Sequence, residues 1–226
     1  GRILRTSTQS NLAQIEAKPI IVNNYELGAT GQISNWLNYE VTSYVSTSKL
    51  GASFVQGADR SFTIQRSPEV VYGVEGFLHF TPAKWINFGG SYSWLEGITS
   101  LKDDGDYSAK VNNSRISAPK VLAYIQVKPT ESLSLGLDML HSFEQDRFSP
   151  NSKTGLYAYG EGRVPEYTII NFKSNYEIDK NWKLSLGVEN LFNTTYQPAI
   201  AWWNARDSEF VNALGMRGTF MIEYRF

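Results

Sequence analysis

Apolar and polar residues alternate one for one along most of this chain, instead of recurring every three or four positions. Successive side chains of a strand point to opposite faces, so that period predicts strands with one apolar and one polar face. The clearest is Gly218–Phe226, where Phe220, Ile222, Tyr224 and Phe226 alternate with Thr219, Met221, Glu223 and Arg225. Leu37, Tyr39, Val41 and Val45 stand in the same way against Asn38, Glu40, Thr42 and Ser46. Ile86, Phe88, Tyr92 and Trp94 stand against Asn87, Gly89, Ser91 and Ser93. Strands are predicted over 24–31, 36–48, 68–80, 85–96, 117–128, 133–143, 166–178, 182–192 and 218–226.

The connections carry a second pattern. Tight turns at 32–35, 81–84, 129–132 and 179–181 alternate with long polar loops at 49–67, 97–116, 144–165 and 193–217. Long loops without structure of their own are uncommon in compact soluble domains. Barrels of the outer membrane have this asymmetry, with short periplasmic turns, long external loops and apolar-out, polar-in strands. Trp36, Phe80, Trp85, Trp94, Trp182, Phe192 and Phe226 fall at strand ends, where amphipathic rings suit a membrane interface. The predicted fold is all-β: an antiparallel, up-and-down transmembrane β-barrel.

Composition narrows the reading further. A net charge of −1 excludes the concentrated positive charge on which nucleic-acid binding rests. With no cysteine, disulfides, Fe–S clusters and thiolate metal sites are out. No apolar run approaches the roughly 20 residues of a spanning helix. The chain starts without Met or a signal peptide, and an odd number of antiparallel strands cannot close. The expectation is therefore a piece of a longer chain.

Three stretches carry a family resemblance. Asn24-Tyr-Glu-Leu-Gly28 resembles a "YELG" strand, Gly187-Val-Glu-Asn-Leu-Phe-Asn-Thr-Thr-Tyr196 a penultimate strand around "NLFDKxY", and Tyr224-Arg-Phe226 a terminal assembly signal. Val164-Pro-Glu-Tyr-Thr168 is similar to "VPGYT", with Glu166 where Gly is usual, and Met221 stands where many barrels carry Gly. Together these resemble TonB-dependent outer-membrane receptors of the ferric-siderophore type. The resemblance implies that residues 1–226 are the C-terminal nine to ten strands of a barrel of about 22, its N-terminal plug domain outside this chain. It implies TonB-dependent import of a ferric siderophore into a bacterial cell, without catalysis. Haem, cobalamin or an oligosaccharide are alternative cargoes, and a passive porin-like barrel is an alternative function. The implied partners are the siderophore or a similar ligand, outer-membrane lipid, the TonB energy-transducing complex through the missing N-terminal region, and the barrel-assembly machinery. That machinery would read Phe220, Ile222, Tyr224 and Phe226.

Loops carry function on rigid scaffolds, and polar or anionic aromatic ligands call for Arg and aromatic partners. Arg147, Tyr157, Tyr159, Arg163, Trp202, Trp203 and Arg206 are the candidate ligand contacts; the same residues would equally suit a girdle or solvated loop charge. No cofactor or protein metal site is expected: His79 and His141 lie on different strands, and iron would arrive in its own chelator. His141 and Ser142 are adjacent strand residues and face opposite ways, which argues against a catalytic dyad. Asp103, Asp104 and Asp106 lack the remaining spacing of a calcium loop.

Overall fold

A computed structural model describes residues 19–56, 62–100, 105–158, 160–198 and 211–226, with backbone only at 52–56 and 62–65. Its strands are β1 (Val22–Ser34), β2 (Leu37–Gln56), β3 (Phe62–Ala83), β4 (Ile86–Thr99), β5 (Ala109–Lys110), β6 (Lys120–Val127), β7 (Leu133–Ser142), β8 (Tyr167–Glu177), β9 (Trp182–Glu189) and β10 (Arg217–Tyr224). They form one sheet in the order β1-β2-β3-β4-β6-β7-β8-β9-β10, with the short β5 paired to β4. Every pairing is antiparallel. The sheet is open, and β1 and β10 are its edges.

Register carries one apolar stripe across the wall. Tyr39 faces Leu78, Phe80 faces Phe88, Phe88 faces Ile125, Ile125 faces Leu137, and Leu137 faces Phe172. Phe172 then meets Val188, and Leu186 meets Phe220. A one-residue slip anywhere would turn a strand's aromatics to the opposite face, so alternation and pairing confirm one another. The polar face carries Glu40, Glu75, Asn171, Lys173, Asn175 and Ser185. Lys173 there meets the Asp138 carboxylate at 2.5 Å, and Ser185 donates to Asn175 at 2.8 Å.

The short turns gather at one end. Thr81 N donates to Trp36 O and Lys128 N to Trp85 O, both at 2.7 Å, and Arg225 N to Asn181 O at 2.8 Å. Asp179 Oδ1 accepts from Asn181 N (2.8 Å) and Trp182 N (2.9 Å), an Asx turn that fixes the β8–β9 corner.

Besides shifts of a few residues at strand ends, such as β1 running to Ser34 through most of the turn expected at 32–35, three boundaries differ from the sequence reading. The expected polar connection 49–67 is largely strand: β2 and β3 continue as a hairpin, pairing Gln56 with Phe62. Between Ser48 and Gly51 the register shifts by one extra residue in β2, and this bulge breaks the alternation that would have disclosed the strand. The expected strand 182–192 stops at Glu189, because Asn190 takes a left-handed conformation with φ 51°. Asn190 is buried; its side-chain NH₂ donates to Thr194 O (2.9 Å), its Oδ1 accepts from Thr194 N (2.8 Å), and its own N–H reaches Asn171 Oδ1 (2.9 Å). Asn is one of the few residues tolerated there, which explains Asn190 within the Asn-Leu-Phe-Asn stretch. The third is the expected loop 97–116, which holds the two residues of β5.

Candidate loop unit at the external rim

At the end opposite the short turns, the connection 105–119 and the connection 143–166 pack on the tops of β3 and β4. Val111, Ile116, Ala118 and Val164, each at most 3 % exposed, come from these two connections. Buried Ser100, Asn113, Ser142 and Gln145 lie among them. Gly97 gives them room: a Cβ there would stand 2.8 Å from Ile116 Cδ1 and 3.0 Å from Val111 Cβ. Backbone bonds stitch the segments together, with Val111 N to Gly97 O (2.8 Å), Asn113 N to Gly160 O (2.8 Å) and mutual Gln145–Val164 bonds (2.9 Å). The Asn113 side chain donates to Gly162 O at 2.6 Å. With its amide oriented to satisfy both ends, Gln145 donates to Asn113 Oδ1 and Ile116 O (3.2 Å each) and accepts from Arg147 Nη1 (3.1 Å).

Two ion pairs anchor this unit to the sheet. Arg115 grips the Glu69 carboxylate with two bonds of 2.6 and 2.7 Å, on the polar face at the top of β3. The Glu69 side chain is only 11 % exposed and sits over Gly51, where any side chain would overlap it. The bond to Glu69 holds the Arg115 guanidinium above its ordinary value. Arg147 spans Glu96 Oε1 (2.8 Å) and Val111 O (2.6 Å) and lies 5.5 Å over the Phe148 ring. Burial pulls its guanidinium below the ordinary value, opposed by the Glu96 charge.

Arg163 and Glu144 face water. Arg163 pairs with Glu144, which holds the carboxyl below and the guanidinium above their usual ranges. Glu161 is partly buried, and that burial raises its carboxyl, offset in part by a bond from the Ala158 backbone. Tyr157 is partly buried and packs beside Gly162.

Of the candidate ligand contacts, the structure brings Arg147, Tyr157 and Arg163 into this one unit, with Arg147 turned inward as a strut. Tyr159, Trp202, Trp203 and Arg206 lie outside the described residues. Sequence reasoning missed Glu69, Glu96, Arg115, Asn113 and Gln145; an acid beside Pro68 at a strand end was the one available hint. His141 bonds Thr168 Oγ1 (2.8 Å), whereas Ser142 is buried on the other side of the strand. Phe220, Ile222, Tyr224 and Phe226 are exposed along the free edge strand and beyond it; Tyr224 lies 4.7 Å from Trp182 and 4.9 Å from Phe226.

Comparison with known proteins agrees with this arrangement. Residues 3–191 match the family model for the TonB dependent receptor-like β-barrel. Among solved structures, the copper transporter OprC superposes with a TM-score of 0.76 at 16 % identity, covering 93 % of this chain and 32 % of that one. The ferric-catecholate import receptor Fiu from Escherichia coli K12 gives 0.65 at 18 %, covering 92 % and 28 %. The ferripyoverdine receptor of the Pseudomonas aeruginosa outer membrane, bound to ferripyoverdine, gives 0.67 at 15 %, covering 90 % and 27 %. The chain thus spans about a third or less of the length of these structures. The family comprises outer-membrane transporters rather than enzymes, and no helix among the described residues is long and apolar enough to cross a membrane. With alternation, register and connection lengths all of the kind such barrels require, this chain belongs to the TonB-dependent receptor β-barrel family and is part of an antiparallel outer-membrane β-barrel.

Proposed function

We propose that this chain is the C-terminal part of a receptor barrel that imports a ferric siderophore, driven by the TonB energy-transducing complex. The observation carrying the reading is the family match over residues 3–191 on a wall two of whose long connections, 105–119 and 143–166, pack into one unit at one end. Two similar structures are named as receptors for iron chelates, which favours chelated iron over a bare ion. Iron then enters as cargo, recognised through its organic ligand.

In this reading Arg163, Tyr157 and the external surface of the loop unit meet the ligand together with Tyr159, Trp202, Trp203 and Arg206. The polar face of the wall, with Glu40, Glu75, Lys173 and Asn175, lines the lumen. A plug domain outside this chain bonds to that face until the inner-membrane complex pulls it aside. The outward stripe meets lipid, and Phe220, Ile222, Tyr224 and Phe226 are the signal for barrel assembly.

The test is uptake of radiolabelled iron siderophores by a receptor-deficient host expressing the full-length protein. Uptake abolished by a proton uncoupler is expected. Uptake that survives the uncoupler would identify a passive pore, and energised uptake of haem or copper alone would reassign the cargo.

A further inference from the structure

The inward face of the wall is not polar throughout. One row across β3, β4, β6, β7 and β8 consists of Phe77, Ser91, Leu122, Leu140 and Ile169: Phe77 pairs with Ser91, Ser91 with Leu122, Leu122 with Leu140, and Leu140 with Ile169. The neighbouring rows of the same face are polar. Toward the external rim the same pairings join Glu75, Ser93, Lys120, Ser142 and Tyr167; toward the short turns they join His79, Gly89, Tyr124, Asp138 and Asn171. A register slip would turn a whole strand over. It does not account for one apolar row set between two polar ones.

This row is covered at one end and bare at the other. Ile169 is 8 % exposed and Leu140 half-buried, whereas Leu122 is 50 % and Phe77 39 % exposed, with only Ser91 between them. The row runs one step beneath buried Ser142, where the loop unit begins, and that unit leaves Phe77 and Leu122 open. Its polar neighbours toward the short turns have partners of their own. His79 bonds the Tyr124 hydroxyl and Thr81 Oγ1 (2.9 Å), Asp138 pairs with Lys173, and Asn171 Oδ1 accepts from Asn190 N (2.9 Å).

The occupant of the bare end is a protein surface. Lipid meets the other side of these strands, and polar rows bound the apolar one above and below. Cargo in transit would leave Phe77 and Leu122 in water between passages, and a standing apolar patch of this kind marks a protein contact. The chain spans about a third or less of the length of the similar structures, so most of their polypeptide lies beyond the stretch it matches. Polar bonds to the wall exchange for bonds to water at small net cost, but parting two apolar surfaces in a wet lumen exposes both.

Resting on the reading of this chain as part of a plugged receptor barrel, we propose that Phe77, Leu122 and Leu140 seat an apolar patch of the plug domain. This dry contact, set among polar ones that water can replace, is the latch that keeps the resting receptor closed. The test is the conductance of the full-length receptor in planar bilayers through a urea titration. The wild type should be closed without urea and open at a defined concentration. Phe77→Ser and Leu122→Ser should each raise the open-to-closed ratio by about tenfold below that concentration. Both place a polar residue at an inward position, as the alternation prefers, and a heat-modifiable band checks the fold of each. Leu122→Met keeps the contact apolar and should open as the wild type does. Folded serine variants that open at the wild-type concentration would overturn the proposal. So would serine variants altered only in siderophore affinity, which would make the row a seat for cargo. A wild type that conducts fully without urea would overturn the reading of a plugged barrel, and the latch with it.

Discussion

The wall and the loop unit are held together in opposite ways. Along β6 to β10, side chains alternate outward and inward, and of these strands' apolar residues only Ile169 is buried. Ladder hydrogen bonds and the membrane supply the wall's stability. The connections 105–119 and 143–166 instead bury Val111, Ile116, Ala118 and Val164 against one another, as a small soluble domain does. In this protein the packed core sits in what a reading of the strands leaves over as loops. A ligand-facing surface built there is preorganised by packing and by ion pairs rather than by the barrel.

That contrast can be broken from either side. Arg115→Ala should have the largest effect, leaving the mostly buried Glu69 without its bidentate partner at a cost of about 3 kcal/mol. Limited proteolysis of the full-length protein should then cut within 105–119 and 143–166 while the heat-modifiable band persists. Adding Glu69→Gln should restore part of the resistance. Asn190→Ala attacks the wall corner, with an expected cost of about 1–3 kcal/mol from unmade bonds and the left-handed backbone. It should speed exchange at Thr194 and lower the unfolding temperature, and leave proteolysis of the loop unit as it is. Gly97→Val, which overpacks Ile116 and Val111, should cost about 1–3 kcal/mol and loosen the loop unit alone.

The smallest effect is electrostatic. Burial raises the Glu161 carboxyl, so the native loop binds its proton more tightly than the unfolded chain does. Its contribution is most favourable below the ordinary carboxylate range and declines as pH rises through that range to the raised value. Glu161→Gln should flatten this dependence in proteolysis profiles taken between acidic and neutral pH, and an unchanged profile would count against the assignment.

The wall was legible because its rule is local: in a membrane strand, alternation alone decides which face meets lipid, and Leu37–Val45 or Trp182–Leu186 display it without knowledge of partners. The β2–β3 extension escaped because the bulge at Lys49 and Leu50 shifts the phase, so Phe54 and Ile64 pair without a continuous alternation. The loop unit escaped for a deeper reason. Its contacts join Glu69 to Arg115 and Asn113 to Gly162, segments far apart in sequence, and no period in either announces the other. Arg147 is a candidate ligand contact because an Arg among Tyr and Phe in a polar loop has that composition; its place between Glu96 and Val111 was not legible, since it depends on the fold of both connections.

The most direct test is hydrogen exchange of the full-length protein in detergent, without ligand, comparing amides of Val111, Asn113, Ile116, Gln145 and Val164 with those of β6 to β9. Each of the five donates a backbone bond, Val111 to Gly97 of β4 and the other four within the loop unit. Protection approaching that of the strands is the expected result, with Arg115→Ala removing it in the loops alone. Exchange of those five amides at the rate of an unstructured peptide would contradict a preformed loop unit.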